Sequence, residues 1–294
     1  MDYALFLGCT VPARSLGYDI SVRKVAKDLD INLIDVEGFS CCGFPTASIH
    51  RETSLALAAI NLCLAEERNL NIITLCNSCT AYLTKVNMIL KNNKETFEKV
   101  NEVLKANDLE FKGTIDVKHI SRLLYEDIGT VKIEKTVKRS LDGIKVAPIY
   151  GCHYLKPSSI YNKFDDPEMP KSLDSIISAT GATSLDFPEK ILCCGGAILA
   201  IDENASMGMT HIVLDSVKSL EADAMATICP FCHLMYDEYQ ATIGNKYGKD
   251  YNIPSLFFSQ LLGLAFGHEA KELGLKFNAV RTKNLVKKIM GGEQ

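Results

Sequence analysis

Hydrophobic positions along the chain predict strands and helices that alternate. Short apolar runs are typical of buried strands, and apolar residues that recur every three or four positions are typical of helices. The predicted strands are residues 4–7, 33–36, 72–75, 146–150 and 226–228. The predicted helices are residues 54–68, 80–91, 171–180, 206–220 and 234–240. This alternation indicates an α/β fold with a mainly parallel sheet.

Two further features of the sequence bear on the cellular location of the protein. The apolar stretch 254–267 is interrupted by polar residues, so we predict that it is a core segment. No run reaches the roughly 18 consecutive apolar residues of a membrane-spanning helix. The first residues also lack the basic start and apolar stretch of a signal peptide. We therefore expect a cytoplasmic protein without a membrane span.

Composition and charge narrow the possible functions. The 294 residues are 47% hydrophobic and 23% charged, and the formal net charge is −4. These values are typical of a folded globular protein, and the charge argues against nucleic-acid binding, which normally needs a basic patch. The chain has 11 cysteines. Cytosolic thiols stay reduced, so metal binding or redox chemistry is favoured over a disulfide framework.

All but one of the cysteines fall into two sets of the same design. Each set has a single cysteine, then an adjacent pair, then a C-x-x-C element. The first set is Cys9, Cys41, Cys42, Cys76 and Cys79, and the second is Cys152, Cys193, Cys194, Cys229 and Cys232. A glycine precedes each single cysteine and another follows each adjacent pair, so the flanks repeat as well. A repeat of this length indicates a duplicated domain.

We therefore predict two tandem, pseudo-symmetric repeats, each a small mainly parallel sheet with flanking helices. The predicted domains are residues 1–143 and 144–294. The cysteine elements of each repeat follow predicted strands, and ligand sites in such sheets lie at the carboxyl ends of strands. The cysteines of each repeat are thus expected to converge at one sheet edge.

The cysteine elements are typical of soft metal sites. Each C-x-x-C directs two sulfurs to one centre and precedes a predicted helix, whose free N–H groups stabilise thiolate charge. Five thiolates suit a multi-iron cluster better than a four-coordinate structural zinc ion. Gly43 and Gly195 are expected to let the backbone bend closely around the cofactor. Zinc or a metal-free dithiol are the alternatives, and Cys63 is interpreted as a small core residue.

At these residues the chain resembles the CCG-domain (cysteine-rich) family, which includes the catalytic B subunit of heterodisulfide reductase from methanogenic archaea. The resemblance covers both cysteine sets and almost the whole chain. It implies two non-cubane 4Fe-4S clusters, the first held by Cys9, Cys41, Cys42, Cys76 and Cys79. The second would be held by Cys152, Cys193, Cys194, Cys229 and Cys232. It also implies that the mixed disulfide of coenzyme M and coenzyme B is reduced to two thiols between the clusters, in methanogenesis.

Polar residues beside the second set supply candidates for proton transfer and substrate binding. Cleaving a disulfide reductively takes two electrons, and we hypothesise that two facing clusters share this task. His153 follows Cys152 and is a candidate proton donor to a leaving thiolate. Lys156 is a candidate to attract an anionic group of the substrate. Arg14 is a weaker candidate of the same kind, and His233 is expected to face solvent at a helix start.

The electrons are expected to come from another protein. The chain has no ferredoxin-type cysteine run and no G-x-G-x-x-G fingerprint for a flavin or a nicotinamide. The family implies a small iron–sulfur C subunit and a flavin-containing A subunit, with an associated hydrogenase or formate dehydrogenase. Two other functions stay open: an electron-transfer subunit of a fumarate, lactate, glycolate or quinone-linked oxidoreductase, and a zinc-bound interaction module without catalysis.

Overall fold

The computed structural model describes residues 1–291, which contain two four-stranded parallel sheets flanked by helices. The last three residues of the second predicted domain lie outside the described residues. The first sheet comprises β1 (Asp2–Phe6), β2 (Asn32–Asp35), β3 (Ile72–Thr74) and β4 (Val117–His119), in the order β2-β1-β3-β4. The second comprises β5 (Lys145–Ile149), β6 (Thr183–Ser184), β7 (Ala224–Thr227) and β8 (Ser255–Phe257), in the order β6-β5-β7-β8. The predicted fold class is confirmed, and the two sheets have the same topology.

Helices connect the strands and cover the sheets. Those of the first half are α1 (Thr10–Arg14), α2 (Leu16–Asp28), α3 (Arg51–Glu66), α4 (Asn77–Asn92), α5 (Lys94–Lys105), α6 (Ile120–Leu123) and α7 (Thr130–Thr136). Those of the second half are α8 (Ser172–Ser178), α9 (Glu203–Ser219), α10 (Pro230–His233), α11 (Gln240–Tyr247), α12 (Phe258–Ala265) and α13 (Lys283–Ile289). None of the helices that the structure describes combines the length and apolar character needed to cross a bilayer.

The structure corrects several predicted elements. Each repeat has a fourth strand, β4 or β8, which the hydrophobic pattern does not indicate. β4 contains Lys118 and His119, and β8 runs directly into the apolar start of α12, so neither forms a separate apolar run. The adjacent cysteines of the second repeat do not directly follow a strand, since β6 has two residues and ends at Ser184. The predicted helix 234–240 is helical but irregular: α10 ends at His233, a wider π-helical turn occupies Leu234–Glu238, and α11 begins at Gln240.

The two repeats share a hydrophobic core. Helix α12, which lies within the predicted core segment, is buried along its whole length and packs on α2 of the first repeat. The Tyr18 ring of α2 stacks on Phe257 with centroids 4.1 Å apart, and the Ser21 and Ser259 hydroxyls are 2.7 Å apart. The core segment is confirmed. Since packing is continuous across the repeats, the domain boundary at residue 143 stays a prediction.

A tight turn at each adjacent cysteine pair explains the glycine that follows. Gly43 and Gly195 have φ values of +88° and +79°, a region that favours glycine. A Cβ atom at Gly43 would lie 2.5 Å from the carbonyl oxygen of Ser54, and one at Gly195 2.7 Å from that of Ser206. The serine hydroxyls also donate to the glycine carbonyls, at 2.7 and 3.0 Å. Each glycine therefore allows a close approach to the backbone of α3 or α9. The predicted bend of this turn around a cofactor stays a prediction.

We expect Gly43→Ala to destabilise the protein more than Gly248→Ala. Both glycines have positive φ, which costs alanine about 1–2 kcal/mol, but no atom lies within 4 Å of a Cβ at Gly248. The contact with Ser54 should add roughly 1–3 kcal/mol for Gly43→Ala. Anaerobic denaturant titration, followed by circular dichroism, measures the loss in free energy of unfolding for each variant. Equal losses would show that the helix moves aside at no cost.

Candidate functional site

The cysteines lie where the parallel strands end. In the first sheet Cys9 follows β1, Cys41 comes after β2 and Cys76 follows β3. The second sheet repeats this arrangement, with Cys152 after β5 and Cys229 after β7. Parallel strands share a carboxyl edge, so the cysteine elements of each repeat meet there.

The cysteines of both sets form one continuous row of neighbouring thiols. In order along the row they are Cys9, Cys41, Cys42, Cys79, Cys76, Cys229, Cys232, Cys194, Cys193 and Cys152. The second half repeats the order of the first in reverse, as a pseudo-twofold relation between the repeats requires. The halves meet at Cys76 and Cys229, a contact between repeats that the sequence does not reveal.

Burial changes along this row. Cys76 and Cys229, at its middle, are each 4% exposed. At its ends Cys9 is exposed and Cys152 is half-buried. The row therefore runs from the surface into the core of the molecule and out again, and its middle is shielded from water.

The neighbouring thiols influence one another's protonation. The thiol of Cys229 and burial hold the pKa of Cys76 well above its usual value. Hydrogen bonds from Cys232 and Cys76, together with backbone N–H groups, hold the pKa of Cys229 well below its usual value. The pKa of Cys193 is also lowered, chiefly by Cys152. Thiolates, the form that binds metals, are thus favoured at Cys229 and Cys193.

Two glycines bring sulfur atoms close to the strand ends. Gly8 and Gly151 precede the single cysteines and have φ values of +66° and +67°. A Cβ atom at Gly8 would lie 3.1 Å from Cys79 Sγ, and one at Gly151 would lie 3.0 Å from Cys232 Sγ. The Gly-Cys openings of the two repeats therefore leave room for the C-x-x-C sulfurs.

The donor set of each repeat fits an iron–sulfur cluster. Five soft thiols stand together, and a glycine leaves space beside one sulfur of each set. Residues of both repeats, including Phe44 and Phe231, line a pocket at the first set. Within residues 1–291, no three His, Cys, Asp or Glu side chains are arranged to hold a single metal ion. Cluster binding by these cysteines stays a prediction.

The C-x-x-C elements begin helices, as predicted, but their surroundings differ. Cys76 is the N-cap of α4 and Cys229 is the N-cap of α10. Asn77 reaches into the second repeat, where its side-chain N–H donates to the Tyr150 carbonyl at 2.7 Å, and its backbone N–H helps to lower the pKa of Cys229. The corresponding residue, Pro230, has no N–H to offer Cys76. The two sets are therefore chemically inequivalent.

The two predicted catalytic residues have different surroundings. His153 is half-buried, with its ring 5.1 Å from that of Phe44, and it lies near enough to Cys193 to help lower that pKa. Lys156 is exposed, and its Nζ atom lies 3.4 Å from Glu168 Oε1. His153 thus adjoins the cysteine row, whereas Lys156 forms an ion pair at the surface.

Two residues that sequence reasoning missed hold the second set in place. His119 Nε2 and the Tyr18 hydroxyl, both in the first repeat, donate to the Ile228 carbonyl at 2.9 and 3.1 Å. The Ser121 N–H donates to His119 Nδ1, and burial lowers the pKa of His119 to about 4. A neutral imidazole thus fixes the residue before Cys229. The only sequence signal is that His119 occupies the strand-end position where the second repeat has Phe257.

The structure also shows the surroundings of His233, Arg14 and Cys63. His233 is 5% exposed and stacks on Phe257 with centroids 3.9 Å apart, so the expected solvent-facing position is wrong. Burial lowers its pKa to about 3. Arg14 is exposed, 3.7 Å from Glu238. Cys63 is fully buried in the core, as predicted, and burial raises its pKa to about 12.

Comparison with known proteins agrees with the duplicated cysteine pattern. The profile of the CCG cysteine-rich domain matches residues 3–84 and again residues 146–237. In fold, the chain is similar to a hypothetical protein from Helicobacter pylori, with a TM-score of 0.78 and 18% identity. That alignment covers 95% of this chain and 52% of the other, so the chain spans about half of the length of that structure.

Full-length relatives carry more specific names. A protein of Methanosarcina mazei, named as the B subunit of ferredoxin:CoB-CoM heterodisulfide reductase, is 39% identical over 97% of this chain and 96% of its own length. A protein of Wolinella succinogenes named 8-methylmenaquinol:fumarate reductase membrane anchor subunit is 32% identical over 97% and 99%. The chain therefore belongs to the CCG cysteine-rich domain family, as a full-length relative of the heterodisulfide reductase B subunits.

Proposed function

We propose that the chain is the catalytic subunit of a heterodisulfide reductase, which reduces the mixed disulfide of coenzyme M and coenzyme B to two thiols. The observation that carries this proposal is the meeting of two five-cysteine sets at Cys76 and Cys229. Such an arrangement suits a reaction that needs two redox sites on one substrate. The name of the Methanosarcina mazei relative supports the choice of substrate.

In this proposal each cysteine set holds one non-cubane 4Fe-4S cluster. The first set is Cys9, Cys41, Cys42, Cys76 and Cys79, and the second is Cys152, Cys193, Cys194, Cys229 and Cys232. When bound, the clusters supply electrons one at a time to the disulfide. The soft thiols and the glycines that adjoin Cys79 and Cys232 support this assignment.

The chain's own residues position the sites and supply protons. The balanced reaction takes one disulfide, two electrons and two protons to two thiols. A ring N–H of His153, beside Cys193, donates a proton to a departing thiolate. Lys156 attracts an anionic end of the substrate from the surface. His119 and Tyr18 keep the second set in register with the first through the Ile228 carbonyl.

The protein would work within a multi-subunit complex. We propose a small iron–sulfur C subunit and a flavin-containing A subunit as partners, with a hydrogenase or formate dehydrogenase as the source of electrons. Names of the relatives that describe them as subunits support an assembly of this kind.

A second candidate is an electron-transfer subunit of another oxidoreductase of this family. The relative from Wolinella succinogenes favours it, because its name refers to a quinol:fumarate reductase and it is 32% identical over almost the same span. Turnover of the mixed disulfide separates the two candidates, since an electron carrier would not reduce it.

We expect about eight irons with matching sulfide per chain after anaerobic purification, the content of two four-iron clusters. Cys42→Ala and Cys194→Ala should each lose about half of the iron, since each removes one buried thiol. Cys63→Ala is the matched control and should keep all of it. Metal and sulfide analysis measures the iron and sulfide content of each variant. Zinc without sulfide, even after a reconstitution attempt, would overturn the redox function.

We expect His153→Gln and Lys156→Gln to affect different kinetic constants. Loss of a proton donor should lower kcat by roughly 100-fold or more for His153→Gln. Lys156→Gln removes a contact made equally before and during the reaction, so it should raise KM and leave kcat unchanged. Steady-state reduction of the mixed disulfide with a viologen donor measures both. An unchanged kcat for His153→Gln, with full iron content, would exclude His153 as the donor.

A further inference from the structure

A groove with a cationic rim lies near the C-terminal end of the described chain. It has a volume of about 790 Å³ and runs between α13 and the segment that precedes it. Its lining residues are Ala270, Lys271, Leu275, Lys276, Asn278, Arg281, Thr282, Lys283, Val286, Lys287 and Met290. The function proposed above uses none of these residues.

The charge of this groove contrasts with that of the chain. Its lining includes five cations and no carboxylate, although the net charge of the protein is −4. All five cationic side chains are on exposed residues. Among residues 1–291, no carboxylate lies within 4.0 Å of any of them, whereas the nearby Lys24 and Lys288 pair with Glu272 and Asp223. Within residues 1–291 the groove is thus a concentrated positive patch.

Apolar surface accompanies these charges. Leu275 is buried in the floor of the groove, and Met290 is 39% exposed at its side. Phe277 is 47% exposed next to the groove, and both it and Ile20 lie within 3.5 Å of a Cβ position at Gly274. Exposed apolar groups rimmed by charge are typical of protein interaction sites.

The groove adjoins the second cysteine set. Asn278 lines it and also lines a smaller pocket together with His233 and Phe257. The side-chain N–H of Asn278 donates to the Ser255 carbonyl in β8 at 2.6 Å, which ties the groove wall to the sheet. His233 follows Cys232 in the chain, so Asn278 and His233 connect the groove with the second set through this smaller pocket.

We propose that this groove docks an acidic electron-transfer protein that delivers electrons to the second cysteine set. Carboxylates of the partner would pair with the five cations, and an apolar side chain would enter the groove between them. Each reduced partner gives up one electron and leaves oxidised, so two partners and two protons are consumed per disulfide. The destination of the electrons rests on the proposed function, whereas the docking does not.

The concave shape of the groove favours a protein over an anionic membrane as the occupant. A concave groove accommodates a protruding acidic segment, as in helix-in-groove recognition. A lipid surface is broad and would not fill the groove.

The test uses charge reversal with a matched control. The groove variant combines Lys276→Glu, Arg281→Glu and Lys283→Glu. The control combines Lys85→Glu, Lys105→Glu and Lys112→Glu, exposed lysines of the first repeat that change the net charge equally. The probe is an acidic ferredoxin, and its Kd is measured by interferometry at low and at near-physiological salt. Iron content and melting temperature show that each variant is folded.

We expect the groove variant to raise the Kd by about tenfold or more and to weaken its salt dependence, because complementary charges steer and hold the partner. The control should change the Kd by less than about twofold. Reduction of the bound clusters by reduced ferredoxin, followed by absorbance, should slow in the groove variant alone.

Three results would overturn the proposal. Equal Kd values for both variants would exclude the groove as the docking site. Groove-dependent binding to phosphatidylserine vesicles without ferredoxin binding would make it a lipid site. Self-association of the native chain that the groove variant abolishes would assign it to a second copy. Because binding needs no turnover, failure of disulfide reduction alone would contradict the proposed function and leave the docking result standing.

Discussion

The contact between the thiols of Cys76 and Cys229 is the point on which the rest of the arrangement depends. Each of these cysteines follows a central strand of its own sheet, at the carboxyl edge. Because both sheets are parallel and share one topology, their cysteine edges can face each other across a pseudo-twofold relation. The row of thiols then follows directly, with its buried middle at the meeting of the repeats and its ends near the surface.

Hydrogen bonds between the repeats keep this contact in register. The Ile228 carbonyl accepts from both His119 and Tyr18, and the Tyr150 carbonyl accepts from Asn77. Each buried hydrogen bond contributes roughly 1 kcal/mol, and an unpaired partner would be more costly. All these bonds end on the residue before a cysteine, or before the Gly-Cys opening, of the second repeat. The first repeat thus holds the cysteine elements of the second in position. Pro230, the counterpart of Asn77, has no backbone N–H, so the second repeat cannot form the equivalent hydrogen bond to Cys76.

The family includes relatives whose names refer to different reactions. Relatives with names that refer to disulfide and to quinol:fumarate chemistry are 39% and 32% identical to this chain over nearly its whole length. Function in such families depends on residues around the shared site, rather than on the fold. In this chain those residues include His153 beside Cys193 and the neutral His119 behind Cys229. The basic groove, in contrast, is lined by none of the cysteines.

Much of this architecture could be predicted from the sequence, because it depends on local pattern. Strand runs, helical spacing and the repeated cysteine order predicted two α/β repeats and the helix starts at both C-x-x-C elements. The short strands β4 and β6 escaped prediction because they contain polar residues, and β8 because it runs directly into the apolar helix α12. The predicted bend at the glycine after each cysteine pair stays a prediction as regards the cofactor, and the structure adds a close contact with the backbone of the following helix.

By itself the sequence determined which residues could form a redox site, since thiol chemistry and strand-end positions are local properties. Tertiary structure decided which of them meet. The contact of Cys76 with Cys229, the hold of His119 on Ile228 and the burial of His233 all join residues or elements that are distant in the chain. The five groove cations are also ordinary surface residues in the sequence. They line one groove only when α13 packs against the preceding segment, because this packing brings their charges together.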